Sequence, residues 1–152
     1  MRAARLGYGD LEAEAVPPHI TLLPPTTIDD AVRGEVLDHL TEVASRTSAF
    51  TVLLRGAGTF RPVSPVVFIV VAQGISECEQ LERHIRSGPL ERPLGFPYHP
   101  HVTVAHDVAD AELDRAFGDF SDFSAEFTVD AFRLYSHVGG RWVPDRDLPL
   151  RG

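Results

Sequence analysis

The sequence predicts an α+β fold: a bilobal, pseudo-two-fold arrangement of two mostly antiparallel sheets flanked by helices, with a groove between the lobes. Three observations carry this expectation. Some segments alternate apolar and polar residues with period two, others repeat near 3.6, and they do not follow a strict βαβ rhythm. The order strand, helix, strand occurs twice, from PHITLL to AFTVLLR and again from PHVTVA to EFTVDAFRL, with nearly equal offsets between matching residues. Finally, the 12 glycines and 12 prolines fall mostly between periodic segments, as turn punctuation does, so nothing divides the 152 residues into separate domains. Residues 1–152 are therefore read as one domain built from two diverged repeats.

The elements follow in order. His19 to Leu23 reads as a short strand stopped by Pro24 and Pro25. Thr27 or Asp29 caps a helix running to Ser45, with Val32, Val36, Leu40 and Val43 on one face. Phe50 to Arg55 is a strand, and Thr59-Phe60 extends it past the glycines. The β-branched run Val66 to Ala72 is a central strand. Ile75 to Ser87 is a second helix with Ile75, Cys78, Leu81 and Ile85 on its stripe. His101 to His106 is a strand, Asp110 to Phe117 a short helix, and Phe123 to Tyr135 one long strand. Arg141 to Pro144 pairs with that strand after a turn over His137 to Gly140.

Composition narrows the function classes. Hydrophobic residues make up 43% of the chain and charged residues 24%, values of an ordinary globular protein. No apolar run has the length to span a bilayer, and the first ten residues lack the apolar core of a secretory signal. Cys78 is the only cysteine, which excludes an internal disulfide and fits a reducing cytoplasm. The net charge of −8 argues against binding DNA or another long polyanion, since counterion displacement needs a basic surface. A small phosphate ligand in a local pocket is compatible with it.

Seven histidines are many for this length, and their placement is informative. His19-Ile20-Thr21 and His101-Val102-Thr103 share one pattern, each just after a proline and each opening a repeat. Residues two apart on a strand share a face roughly 6.5–7 Å apart. His19 and Thr21 therefore point one way and Ile20 the other; His101 and Thr103 likewise oppose Val102. If the repeats are related by a two-fold axis, two imidazoles and two hydroxyls meet in the groove. Opening a cyclic phosphodiester needs a base for the attacking oxygen and an acid for the departing one. An imidazole can do either near neutrality, without a metal or other cofactor. The hydroxyls of Thr21 and Thr103 can donate to the non-bridging phosphate oxygens.

The stretches PPHITLLPP and FPYHPHVTVAH resemble the paired H-x-T/S motifs of the 2H phosphoesterase superfamily, specifically its 2′-5′ RNA ligase and RNA 2′,3′-cyclic phosphodiesterase branch. The resemblance runs from Val16 to Pro149. It implies an active-site groove between the lobes and hydrolysis of a nucleoside or RNA-terminal 2′,3′-cyclic phosphate to a 2′-phosphate. It also implies that His101 activates water and His19 protonates the leaving 3′-oxygen. Members usually carry a further strand and helix before the first motif. Here eighteen residues precede His19, and Leu6 to Glu14 reads as the tail of that helix, so the first lobe is expected to lack a strand. The exposed edge could be covered in a homodimer; otherwise a monomer is expected.

Further substrate contacts are expected from Phe60 and Tyr98, which can stack on a base, and from Arg61, which can pair with phosphate. His99 shares the face of His101 if the strand extends that far. His106 falls on the face of Val102 and Val104 and reads as structural. His39, His84 and His137 read as surface residues. Two rival chemistries fit less well. A histidine-triad nucleotide hydrolase would need a histidine where Thr103 stands. A metal site at His99-x-His101 has only Asp107 nearby to complete it. A non-catalytic nucleotide-binding module and a 2′-5′ RNA ligase remain as alternatives to hydrolysis.

Overall fold

In a computed structural model the described residues are 1–10 and 16–152. Four α-helices and six strands occur among them: α1 (Arg2–Gly7), α2 (Arg33–Arg46), β1 (Phe50–Thr59), β2 (Val66–Gln73), α3 (Ile75–Ile85), β3 (His101–His106), α4 (Asp110–Asp119), β4 (Ser124–Val129), β5 (Ala131–Val138) and β6 (Arg141–Pro149). The fold is α+β. One sheet has the order β3-β2-β1-β4, and β5 with β6 forms a second. The chain divides into two compact units. The first comprises Met1–Ile20, Leu53–Gln73 and His101–Glu126; the second comprises Thr21–Val52, Gly74–Pro100 and Phe127–Gly152.

In the first unit, β2 is an inner strand, antiparallel to both β1 and β3. Its sequence explains this place: Val66 to Ile69 and Val71 are all buried, which suits a strand covered on both faces. Ile69 lies opposite Val102 and Phe68 opposite Thr103. One face of the β2-β3 pair thus carries Val67, Ile69, Val102 and Val104, all buried, while the other carries Phe68, His101 and Thr103. Helix α4 packs on both strands and buries Leu113 and Ala116 completely. Helix α1 is tied to α4 by polar contacts: the Tyr8 hydroxyl donates to Asp119 at 2.8 Å, Arg115 lies over the Tyr8 ring, and its guanidinium donates to the Gly7 carbonyl at 2.8 Å. Arg5 and Asp10 form a buried ion pair at 2.7 Å beside them. The predicted helix tail Leu6–Glu14 overlaps the end of α1, and its residues 11–14 lie outside the described residues.

The second unit is built around Val36, Leu40, Val43, Ala44, Leu81 and Ile85 of α2 and α3, joined by Leu90, Leu148 and Leu150. Asp29 is the cap: its side chain accepts from the Ala31 amide at 2.8 Å, and one 3-10 turn leads into α2. Gly74 starts α3 at φ +91°, and a Cβ there would stand 2.7 Å from the Thr51 carbonyl oxygen, so glycine is required twice over. The helix stripe is shifted from the expected one. Ile75 is exposed, while Glu82 is buried and paired with Arg86 at 2.5 Å. His39 is half-buried, with Nε2 bonded to the Ile85 carbonyl at 3.1 Å, and so is no mere surface residue.

Two predicted strands differ from the observed ones. Phe123–Tyr135 is two strands in two sheets. The chain breaks at Asp130, a poor strand former whose carbonyl accepts the Leu150 amide at 2.8 Å. β5 then pairs with β6 over their full lengths across a Gly139-Gly140 turn, both glycines at positive φ. At the first motif, the strand predicted over His19–Leu23 shrinks to a single antiparallel bridge, Ile20 to Val102. Prolines 17, 18, 24 and 25 remove ladder donors on both sides. Leu22 and Leu23 instead pack on the core of the second unit.

Two predictions come from this packing. Leu113→Ala should destabilise the protein by about 2–5 kcal/mol, seen as a lower urea midpoint with unchanged slope. Burial, followed by the charges of Glu77 and Glu79, pushes the Cys78 thiol from 9.0 up to about 11. Folding therefore favours the neutral thiol, and that contribution is full below pH 9 and lost as pH rises through about 11. At pH 8 iodoacetamide should label Cys78 far more slowly in the native protein than in urea, with mass spectrometry as the readout.

Candidate active site

The two H-x-T motifs are brought together at their middle residues. Ile20 of the first bridges Val102 of the second, and the bridge is antiparallel. An antiparallel pairing of equivalent residues carries a local two-fold axis. His101 and Thr103 are both half-buried and share one side of β3, as the alternation in β3 requires. The matching Phe-Thr-Val segments echo the pattern, since Phe50 to Val52 lies in β1, Phe127 to Val129 lies in β4, and β1 and β4 are neighbours.

His19 is exposed, and its ring is oriented by its own loop. Nδ1 lies 2.8 Å from the Pro17 carbonyl oxygen. A carbonyl can only accept, so Nδ1 carries the hydrogen and Nε2 is the nitrogen that can exchange a proton with a ligand. Proline at position 17 matters through its carbonyl, as well as by halting the strand.

His101 sits against two aromatic rings. Its centroid is 5.0 Å from that of Phe60, at an interplanar angle of 89°, and 5.2 Å from that of Phe68, at 61°. Phe60 and Phe68 are themselves 4.3 Å apart. Phe60 was expected to stack on a base; here its ring also touches an imidazole. Phe68 was missed by sequence reasoning. Its signal is the alternation of β2, which puts Phe68 on the face of His101 once β2 and β3 are taken as neighbours.

The other expected residues have definite surroundings. The Arg61 guanidinium is engaged by α4, at 2.8 Å from Asp114 and 3.9 Å from Asp110, and it borders an open cleft with Pro62 and Pro65. A phosphate at Arg61 would compete with these carboxylates. In the second unit, the Tyr98 hydroxyl donates to the carbonyl of Thr21 at 3.0 Å, holding the backbone just after the first histidine. Burial, helped by the Glu82 and Glu79 charges, raises the Tyr98 pKa beyond the ordinary phenol range, so it donates at any physiological pH. Thr21 and His99 are exposed. His106 Nε2 lies 3.3 Å from the carboxylate of Asp107. Among the described residues, no three His, Cys, Asp or Glu side chains are grouped as a metal would need.

The chain resembles known proteins in sequence and in fold. The family model of the 2′-5′ RNA ligase superfamily matches residues 1–141. A protein of Bacillus pumilus (strain SAFR-032) named "Putative phosphoesterase" is 32% identical over 131 residues, covering 84% of this chain and 76% of its own. A protein of the same name from Bacillus thuringiensis (strain Al Hakam) is 32% identical over the same shares. Among solved structures, Escherichia coli LigT complexed with 3′-AMP superposes with a TM-score of 0.62 at 22% identity, covering 100% of this chain and 94% of that one. The same protein in its apo form gives 0.64 at 23% identity, covering 99% and 91%. With a family model across nearly all its length and two H-x-T motifs joined at their centres, the chain belongs to the 2′-5′ RNA ligase superfamily, the 2H phosphoesterases.

Proposed function

We propose that the protein is a metal-independent cyclic phosphodiesterase that opens a nucleoside or RNA-terminal 2′,3′-cyclic phosphate to the 2′-phosphate. The observation that carries this reading is the antiparallel Ile20–Val102 bridge, which joins the middle residues of two like His-x-Thr motifs. Family membership supports an enzyme acting on phosphate esters. LigT of Escherichia coli has been crystallised with 3′-AMP, with ATP and with NADP+, which supports a nucleotide as substrate. The net charge of −8 favours a small nucleotide or a short RNA end over a long polyanion.

The chemistry balances with two imidazoles. His101 takes a proton from water as the water oxygen bonds to phosphorus. His19, protonated, gives a proton through Nε2 to the 3′-oxygen as the bond from phosphorus to that oxygen breaks. The negative charge gathering on the non-bridging oxygens is met by the hydroxyls of Thr103 and Thr21. The product is a 2′-phosphomonoester with a free 3′-hydroxyl, and solvent returns both histidines to their starting states. Tyr98 serves by holding the Thr21 carbonyl.

The wild-type protein should therefore hydrolyse nucleoside 2′,3′-cyclic monophosphates in EDTA, with phosphorus NMR showing only the 2′-monophosphate. His19→Ala and His101→Ala should each lower kcat by about 10²–10⁴-fold. Loss of turnover in only one variant would break the acid–base pair. Binding without turnover in the wild type would make this a nucleotide-binding module. Formation of a 2′-5′ linkage from a cyclic end and a free 5′-hydroxyl, with no hydrolysis, would make it a ligase.

A further inference from the structure

The rings around His101 do more than fill space, and the reason lies two strands away. Phe68 on β2 is paired across the sheet with Gly58 on β1. A Cβ at Gly58 would lie 2.7 Å from both Cε2 and Cζ of the Phe68 ring and 3.3 Å from Cγ2 of Val70. The ring therefore lies over β1 in space that only glycine leaves. Phe68 is 5% exposed in that position, so it has little room to turn. Phe60 is held from its backbone: its amide donates to the Val66 carbonyl at 3.1 Å, and its carbonyl accepts from the amides of Val63 at 2.9 Å and Ser64 at 3.1 Å. Two rings thus meet the His101 imidazole, both in edge-to-face geometry, at centroid distances typical of aromatic pairs.

From this we infer that Phe60 and Phe68, the latter seated by Gly58, form a bracket that fixes the ring plane of His101, making all three positioning residues for the proton transfer. The inference rests on the reading of His101 as the general base. A base must keep its nitrogen aimed at the attacking water, and a misplacement near 1 Å can cost on the order of 100-fold in rate. The strand backbone sets only the Cα of His101; rotation about its side-chain bonds is restrained by what it touches. Phe60 is thereby assigned to the enzyme's own base rather than to the substrate's nucleobase.

The test compares Phe60→Leu, Phe60→Tyr and Gly58→Ala by steady-state kinetics and by NMR of the His101 ring. Phe60→Leu should lower kcat by about 10–100-fold with KM within about twofold of wild type, because an interaction felt in the transition state is lost. Phe60→Tyr, which keeps the ring, should restore kcat. Gly58→Ala should lower kcat like Phe60→Leu. In the NMR spectra the His101 ring protons should move when the Phe60 ring is removed and stay in place in Phe60→Tyr. A Phe60→Leu variant with unchanged kcat, or with the whole loss in KM, would overturn the inference, the second result assigning Phe60 to substrate binding. Equal impairment in Phe60→Tyr and Phe60→Leu would overturn it as well. Should Gly58→Ala not fold, the Phe60 pair still decides. Absence of turnover in the wild type would defeat the proposed function, and the ring spectra would then support or overturn the bracket by themselves.

Discussion

One backbone contact joins the two His-x-Thr motifs. The bridge between Ile20 and Val102 is a single step of antiparallel pairing between the middle residues of two like motifs. Because strand side chains alternate, Val102 turns to one side of β3 and His101 and Thr103 to the other.

The bridge can be so short because β3 is so well supported. Val102 and Val104 are buried, α4 packs on β3, and β2 flanks β3 with the most continuous apolar run in the chain. β2 shows how one strand serves two ends. Val67, Ile69 and Val71 face the core, and Phe68 faces the other side, where it meets His101. A strand buried on both faces has no polar alternation to advertise this division, which is why Phe68 went unnoticed in the sequence while its neighbours on β3 stood out.

Charge placement follows the same logic of local pairing. The chain carries a net −8, yet several of its arginines are already committed: Arg61 to Asp114 and Asp110, Arg5 to Asp10, Arg86 to Glu82. An arginine near a candidate phosphate site invites assignment as an anion ligand. Arg61 shows why the sequence alone is a poor guide there, since its partners come from a helix some fifty residues further along the chain.

Much of the fold was legible in the sequence. Helices α2, α3 and α4, strands β2 and β3, and the Gly139-Gly140 hairpin lie close to where periodicity and turn chemistry set them, because those signals arise within a few residues. The paired His-x-Thr motifs were legible for a further reason: a pattern that occurs twice at matching places is its own control. Tertiary structure decided what depends on neighbours distant in sequence. Asp130 divides one apparent strand between two sheets because Leu150 claims its carbonyl. Tyr98 is a strut for the Thr21 backbone. The His101 ring meets those of Phe60 and Phe68, and the Phe68 ring occupies space that a side chain at Gly58 would fill. Local periodicity names the residues that share a face. Only the pairing of strands, which closes long loops and brings Gly58, Phe68 and His101 into one layer, decides which of those residues touch.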